Sequence, residues 1–338
     1  MKETKVAIVG FGGIARAHMN AYDLLEAEGF PIRRVALCDV NPEQFTKVQK
    51  INIDTGAAKD VGSLGQYTDF DEMIAKEDID MVLICLPTYL HKEYTIRALR
   101  AGKDVLCEKP MALNSADCAE MLAVAKECGK HLMIGQCMRF EGPYVALKDE
   151  LDTGKHGKVL MMRMERMSAL PRWGFEDWFT DFSRSGGEMQ DMSIHDYDYA
   201  RYLLGEPSKV SAVTVNYEMP EQCSRGTLYY EGGAIVTVDG SWAEAPGFFT
   251  CGYHVICEKA SIIWDGKNDI RVYPKTGEAY DIAPPKVNEY AEEARFFITC
   301  CNTDEKNEKN PPESAMRTIE LIERLKESAA QGGAVLNF

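Results

Sequence analysis

The stretch "KVAIVGFGGIARAH", residues 5–18, joins an apolar run to glycines at a fixed spacing. Gly10, Gly12 and Ala15 follow the pattern G-x-G-x-x-A directly after that run. In this pattern the first glycine permits a tight turn, and the second lets backbone N–H groups approach a pyrophosphate. The small third residue lets the helix pack closely on the strand. The stretch therefore predicts a strand, a dinucleotide-binding loop and a helix. The predicted loop contacts are Gly10, Phe11, Gly12, Gly13 and Ile14.

Residues 5 to about 136 repeat this alternation of a short apolar run and a longer helical stretch. The runs are almost continuously apolar, as expected when helices cover both faces of a parallel sheet. The pattern predicts an N-terminal Rossmann domain with a doubly wound parallel sheet over residues 1–137. Helices are predicted near 13–28, 42–51, 70–76, 91–102 and 114–129.

The second apolar run ends in Asp39, where a carboxylate can accept hydrogen bonds from both ribose hydroxyls of NAD. The same carboxylate would repel the 2′-phosphate of NADP. Val40 and Asn41 supply no compensating cation, and Arg33 and Arg34 precede the strand. The sequence therefore predicts NAD, with NADP as the less favoured cofactor.

Two later runs end in "LPTYLH" and "CEKP", residues 86–91 and 107–110. Ligands of open α/β sheets bind beyond the carboxyl ends of the strands. Pro87, His91, Glu108 and Lys109 are therefore predicted at the same edge of the sheet as the glycine loop. The alternative for Lys109 is an ordinary Lys-Pro turn, and His91 has at most a supporting role.

Composition excludes several classes of protein. The chain has 338 residues, a net charge of −15 and no clustered basic face, so we expect no nucleic-acid partner. Its apolar runs are too short to span a bilayer, and it starts without a leader-like segment. Eleven cysteines without a C-x-x-C pair indicate reduced thiols and a cytoplasmic location. No Cys, His and carboxylate spacing predicts a metal site.

The stretch "SGGEMQDMSIHDYDYARYLLG", residues 185–205, has the pattern of an amphipathic helix with acidic residues. In one continuous helix, Asp191, His195, Asp198 and Tyr202 fall on one face and place an imidazole between two carboxylates. The alternative is a solvated face with helical ion pairs such as Asp198 with Arg201.

Taken together, these segments resemble the glucose–fructose oxidoreductase, inositol dehydrogenase and rhizopine catabolism (Gfo/Idh/MocA) family. The resemblance spans nearly the whole chain, and residues 185–205 are most similar to the inositol dehydrogenase branch. It implies catalytic roles for Lys109, Asp191 and His195. The segments that carry it are "GFGGIARAH", "LPTYLH", "CEKP", "GQCMRFEGPYVALK", "GKHGKV" and residues 185–205.

The resemblance also implies a second α/β domain, residues 138–338, with a large, open and mainly antiparallel sheet. Alternation and turn signals within residues 158–282 agree with such a sheet, and residues 231–233 are its clearest hairpin turn. The open face of the sheet is expected to contact another subunit, giving a homodimer or homotetramer.

The chain departs from the family pattern at two places. It has Leu86-Pro87-Thr88 where the family often has Thr-Pro-Asn, and Glu188 after Gly186 and Gly187 where a third glycine is common. The second difference places a carboxylate near the predicted site.

The expected reaction is the oxidation of a secondary hydroxyl of a cyclitol or sugar. A histidine can take and return the hydroxyl proton near neutral pH, with Asp191 or, as a rival, Asp198 orienting the ring. Whether Lys109 or His195 is the base stays open. Substrate contacts are predicted at Lys109, Arg139, Arg172, Trp173, Asp191 and His195, and Trp178 is as well explained by the core.

Two alternatives keep the cofactor and change the function. Some relatives use tightly held NAD to oxidise a glycoside transiently and eliminate its aglycone. A non-catalytic nucleotide sensor is the other, and the set of Lys109, Asp191 and His195 argues against it.

Overall fold

The computed structural model describes residues 1–46, 61–303 and 305–338. The chain forms two compact units. The first comprises residues 1–137, 173–176 and 288–316, and the second comprises residues 138–172, 177–287 and 317–338. The sequence-based domains, 1–137 and 138–338, stay a prediction, which did not anticipate that residues 288–316 group with the first unit.

The helices and strands are bounded as follows. The helices are α1 Gly13–Ala27, α2 Phe70–Lys76, α3 Thr88–Arg100, α4 Ser115–Cys128, α5 Gly142–Asp152, α6 Phe182–Ser185, α7 Glu188–Asp191, α8 Ile194–Leu204, α9 Glu289–Asn302 and α10 Pro312–Ala330. The strands are β1 Thr4–Val9, β2 Ile32–Cys38, β3 Gly65–Tyr67, β4 Met81–Ile84, β5 Asp104–Glu108, β6 Leu132–Gly135, β7 Val159–Ser168, β8 Lys209–Val215, β9 Cys223–Tyr229, β10 Ile235–Ser241, β11 Phe249–Cys257, β12 Ala260–Trp264, β13 Ile270–Pro274, β14 Tyr280–Ile282 and β15 Leu336–Asn337.

The sheet of the first unit confirms the predicted Rossmann architecture. Within the described ranges its order is β3-β2-β1-β4-β5-β6, and all neighbouring strands are parallel. The central strands are buried on both faces, which explains their continuously apolar sequences. Helix α9 joins this unit because Ala294 and Phe297 pack in the core that α1 covers. Strand β3 was not predicted, since three residues with a polar centre give no apolar run.

The helix predicted near 42–51 is wrong at its start. Residues Pro42–Phe45 form a single 3-10 turn, which begins where the Asn41 side chain accepts a hydrogen bond from Glu43 N. Residues 47–51 lie outside the described part of the chain.

The second unit confirms the mainly antiparallel sheet. Within the described residues its order is β14-β13-β12-β11-β7-β10-β9-β8-β15, with β7 and β10 as its parallel pair. The predicted hairpin joins β9 to β10, and Tyr229 pairs with Ile235 across the turn. This hairpin lies inside the sheet, because β8 and β7 flank it.

The prediction of one continuous helix after residue 185 is wrong. Helix α7 ends at Asp191 and α8 begins at Ile194, so Met192 and Ser193 form a break. Both Met192 N and Ser193 N donate to Glu188 O, at 2.8 and 3.2 Å. The first bond spans four residues, as in an α-helix, whereas the second spans five and so departs from the α-helical pattern. The 100° spacing that placed Asp191 and His195 on one stripe therefore does not hold across the break.

Among the described residues, no helix is both long and apolar enough to cross a bilayer.

Candidate active site

The glycine loop lies between β1 and α1. Gly10 has a φ of +84°, and a Cβ there would lie 2.6 Å from Cys85 O on the neighbouring strand end, so only glycine fits. Gly12 is the N-cap residue of α1, whose N-terminus receives no side-chain cap from the described residues. The first N–H groups of α1 are thus available to an anion, and the positive end of the helix dipole favours one.

Asp39 is fixed beside this loop by two backbone amides. Its Oδ2 accepts from Phe11 N at 2.7 Å, and its Oδ1 accepts from Asn41 N at 2.9 Å. Each carboxylate oxygen retains a further lone pair. The carboxylate is therefore oriented by the loop itself, and its remaining acceptor sites suit a pair of ribose hydroxyls.

The two loops after β4 and β5 are tied together by His91. Its ring nitrogens each lie 2.7 Å from a carbonyl oxygen, Nδ1 from that of Pro110 and Nε2 from that of Leu86. Burial lowers the pKa of His91, and the two carbonyls offset part of that effect. His91 holds the segment with Pro87 against the segment with Lys109, which favours a supporting role over direct contact with a cofactor.

Glu108 is the last residue of β5 and is buried. Its Oε1 lies 2.6 Å from His18 Nε2 on α1, and its Oε2 accepts from Lys109 N at 3.2 Å. Both carboxylate oxygens are therefore engaged within the first unit. Lys109 itself is partly exposed, and its peptide bond to Pro110 is cis.

In the second unit, His195 stands out by its exposure. Every residue from Ser185 to Arg201, a fully described stretch, is buried except His195, which is partly exposed. Asp191 is 8% exposed and ends α7, and His195 is the second residue of α8. Of this stretch, His195 is the side chain best placed to meet a ligand.

Asp196 and Asp198, on either side of Tyr197, are committed to buried arginines. Asp196 accepts from Arg166 at 2.8 and 3.3 Å, and Asp198 accepts from Arg139 at 2.8 and 2.7 Å. Thr318 Oγ1 also donates to Asp198 Oδ1, at 2.9 Å. These ion pairs hold the part of α8 that follows His195 in place.

The contacts correct three interpretations of the sequence. Arg139 is 2% exposed and its guanidinium is engaged by Asp198, so a substrate contact is not supported. Asp198 is held by the same pair, which argues against it as the group that orients His195. The suggested helical pair is also displaced, because Arg201 binds Glu206 and Thr318.

The predicted substrate contacts Arg172 and Trp173 and the nearby Trp178 differ in their exposure. Arg172 is exposed and forms an ion pair with Glu218. Trp173 is partly exposed. Trp178 is 9% exposed and stacks on Phe179 with ring centroids 4.0 Å apart, which favours its core role.

A group of possible metal ligands occurs in the first unit. One atom each of Asp104, His131 and Cys301 lies within 4.8 Å of the others. Asp104 raises the pKa of His131, and burial raises the pKa of the Cys301 thiol, so both groups favour protonated forms that bind metals poorly. We assign no metal here, and the expected absence of a metal site stays a prediction.

Family profiles match both parts of the chain. The profile described as "Oxidoreductase family, NAD-binding Rossmann fold" (GFO_IDH_MocA) matches residues 4–136, and the "GFO/IDH/MocA C-terminal domain" matches residues 144–263. The chain belongs to the Gfo/Idh/MocA oxidoreductase family. The resemblance inferred from the motifs is thereby confirmed.

Individual relatives agree with this assignment. The chain is 29% identical over 260 residues to an inositol 2-dehydrogenase of Pseudomonas savastanoi pv. phaseolicola, covering 75% of this chain and 70% of that protein. Its structure is similar to an aldose-aldose oxidoreductase from Caulobacter crescentus, with 25% identity, a TM-score of 0.85 and full coverage of both chains. A levoglucosan dehydrogenase bound to NADH and L-sorbose has the same fold, with a TM-score of 0.85, 21% identity and coverage of 100% and 99%.

The sequence left two side chains of this family member without an assigned role. Glu188 is fully buried at the start of α7 and is bound by two serine hydroxyls. Lys326 on α10 donates to Gly186 O and Gln190 Oε1, both at 2.7 Å, and burial lowers its pKa to about 8. The departure from the family pattern at Glu188 could have pointed to its role. Nothing in the local sequence marks Lys326, which lies 136 residues after its partner Gln190.

Proposed function

We propose that this protein is an NAD-dependent dehydrogenase that oxidises a secondary hydroxyl of a cyclitol or sugar to a ketone. The observation that carries the proposal is the partly exposed His195 within an otherwise buried stretch, four residues after Asp191 and on a helix that two arginine pairs hold in place. The inositol dehydrogenase relatives support the substrate class.

The residues of the first unit fit the proposed cofactor. The uncapped start of α1 suits a pyrophosphate, and the oriented Asp39 suits the ribose and opposes a 2′-phosphate. Pro87 and Lys109 are proposed to border the nicotinamide, while His91 and Glu108 hold their loops in place. When bound, NAD accepts the hydride from the alcohol carbon.

The proton is handled by the protein's own side chains. His195 takes the hydroxyl proton, and Asp191 orients the imidazole and stabilises its charged form. Lys109 hydrogen-bonds the substrate oxygen and stabilises negative charge that develops there. Arg172 and Trp173 are proposed as further substrate contacts. Lys109 is the alternative base, in which case it takes the hydroxyl proton instead of His195.

We further propose a cytoplasmic homodimer or homotetramer formed through the nine-stranded sheet. Met161, Ile235 and Tyr273 are 44%, 37% and 48% exposed and share one row across β7, β10 and β13. Light scattering after size exclusion tests this directly. A wild-type dimer or tetramer that Met161→Glu dissociates supports it, and a monomeric wild type overturns it.

The test of the activity uses NAD with a panel of inositols and aldoses and follows NADH absorbance. His195→Ala and Lys109→Ala are each expected to lower kcat by about 10²–10⁴-fold, because each loses a group that assists proton transfer. His131→Ala, which removes an exposed histidine of the first unit, is the matched control and keeps wild-type turnover. In the wild type, kcat falls at acidic pH because the base becomes protonated. This fall is absent from the variant that lacks the base.

Other outcomes identify the alternatives. Cleavage of a glycoside without net NADH, by protein that co-purifies with NAD, indicates transient oxidation and elimination. Binding of NAD that Lys109→Ala leaves unchanged, with no turnover across the panel, indicates a nucleotide sensor. Either result overturns the proposed dehydrogenase.

A further inference from the structure

The carboxyl group of Glu188 joins both sides of the break between α7 and α8. Its Oε1 is hydrogen-bonded to Ser193 Oγ, and its Oε2 is hydrogen-bonded to Ser224 Oγ on β9 at 2.6 Å. Ser193 belongs to the break and precedes His195 by two residues. Glu188 itself begins the helix that ends with Asp191. One side chain therefore links the helix before the break, the break and the sheet.

This linkage occupies a space that the sheet leaves for it. Glu188 and Ser193 are 0% exposed, and Ser224 is 7% exposed. A Cβ at Gly240 on β10 would overlap both Glu188 Oε1 and Ser193 Oγ, so the glycine makes room for the pair. A polar group is buried at this depth only when its hydrogen bonds are satisfied, and both carboxyl oxygens of Glu188 are bonded.

The charged neighbours of Glu188 lie on three elements. Asp191 on α7 and Asp196 on α8 add to the effect of burial and raise the pKa of Glu188 to about 8. Lys326 on α10 is the nearby cation, and Tyr197 on α8 and Ser224 on β9 complete the surroundings. The carboxyl group is therefore protonated at neutral pH and leaves the negative charge of this region on the aspartates.

We propose that Glu188 is a positioning residue, which fixes the break between α7 and α8 and thereby sets the spacing of Asp191 and His195. This inference rests on the proposed function of those two residues. Glu188 contacts no reacting atom in this account. It acts through Ser193, because a shift of the break moves the start of α8 relative to the end of α7. Displacement of a catalytic group by about 1 Å is enough to cost about 10²-fold in rate.

The experiment compares four variants with the wild type. Glu188→Ala removes both hydrogen bonds, and Ser193→Ala removes only the one at the break, which keeps the test valid if the first variant folds poorly. Glu188→Gln keeps both bonds, because its amide oxygen accepts from Ser193 and its N–H donates to Ser224. Glu150→Gln is the matched control, a buried glutamate of the same unit bound by His156 and Tyr280.

Two readouts are measured for each variant. Steady-state kinetics give kcat, KM for the polyol and the affinity for NAD, and hydrogen exchange reports on the backbone of residues 189–198. We expect Glu188→Ala and Ser193→Ala to lower kcat by about 10–100-fold with NAD affinity unchanged and exchange accelerated at the break. Glu188→Gln restores kcat to within about threefold of the wild type, and Glu150→Gln resembles the wild type.

The two readouts separate the possible failures. A wild type that turns over no polyol contradicts the proposed function, and the exchange measurement still decides the role of Glu188. Exchange at the break that is unchanged in both alanine variants overturns the inference. It is also overturned if the wild type is active and Glu188→Ala keeps its kcat.

Discussion

The glycine loop of the first unit and the segment from α7 to α8 of the second unit carry two sets of proposed functional residues, and they are built in different ways. In the loop, the backbone provides the binding groups, and the polar side chain that completes it, Asp39, is 28 residues from its partner Phe11. In the second segment, side chains provide the groups, and their partners come from β7, β9 and α10.

This difference explains how far each set of residues could be predicted from the sequence. A backbone site requires particular residues at particular local positions, so a motif reports it. A side-chain site depends on partners that are remote in sequence, so the same residue types are compatible with catalysis and with structure.

Breaking the buried ion pair between Asp198 and Arg139 is expected to have the largest effect on stability. Asp198→Ala leaves the guanidinium of Arg139 buried without its counter-charge, so the free energy of unfolding falls by about 3–5 kcal/mol. Chemical denaturation measures this loss. Arg172→Ala, which removes an exposed pair with Glu218, is the control and costs at most about 1 kcal/mol. Equal losses in the two variants would contradict a structural role for Asp198.

A methyl group in the glycine loop tests the backbone half of the comparison. Gly10→Ala combines a positive φ with a clash against Cys85 O, so we expect a loss of about 1–3 kcal/mol and weaker NAD binding. Gly29→Ala is the control, because Gly29 has a φ of +75° and its Cβ would meet no described atom within 4 Å. Calorimetric NAD titration should separate the variants, and a Gly10→Ala protein with wild-type NAD affinity would refute the assignment of the loop.

The pH dependence of stability tests the buried carboxyl of Glu188. The native group keeps its proton up to about pH 8, whereas an ordinary glutamate loses it near 4.5, so the native state binds more protons between these values. Its contribution to stability is complete below pH 4.5 and is lost as pH rises to about 8. Relative to the wild type, the free energy of unfolding of Glu188→Gln should rise by up to about 1.4 kcal/mol for each pH unit between these two pH values.

Glu150 provides the control of opposite sign. Its hydrogen bonds and the nearby Lys155 lower its pKa, so its contribution to stability is present above the unfolded pKa and lost on acidification. Denaturation of Glu150→Gln should therefore show a constant loss of unfolding free energy between about pH 4.5 and 8, which shrinks only as the pH falls below 4.5. Parallel pH profiles for wild type and Glu188→Gln would show that Glu188 is charged in the native state.

The first unit was largely predictable because its strands are buried on both faces and its loop needs glycine. Strand β3 was missed, since pairing with β2 specifies those three residues more than their own sequence does. The continuous helix after residue 185 was wrong, because helical periodicity does not reveal that Glu188 O receives two N–H groups at the break.

The candidate site was predictable in its residue types more than in its contacts. Asp39 and Gly10 follow from backbone geometry, and His195 follows from the motif. Arg139 was predicted as a substrate contact and Asp198 as a rival partner of His195, because a sequence does not show which charged residues pair with each other. Their partnership spans 59 residues and becomes visible only in the folded chain.

The most direct test of the dehydrogenase proposal follows the hydride itself. The polyol that reacts in the panel is deuterated at its carbinol carbons and incubated with NAD, and the NADH is analysed by mass spectrometry. We predict that each NADH carries deuterium from the oxidised carbon, and that His195→Ala gives the same label at a rate lower by about 10²–10⁴-fold. NADH without deuterium, or wild-type rates in His195→Ala, would contradict this account.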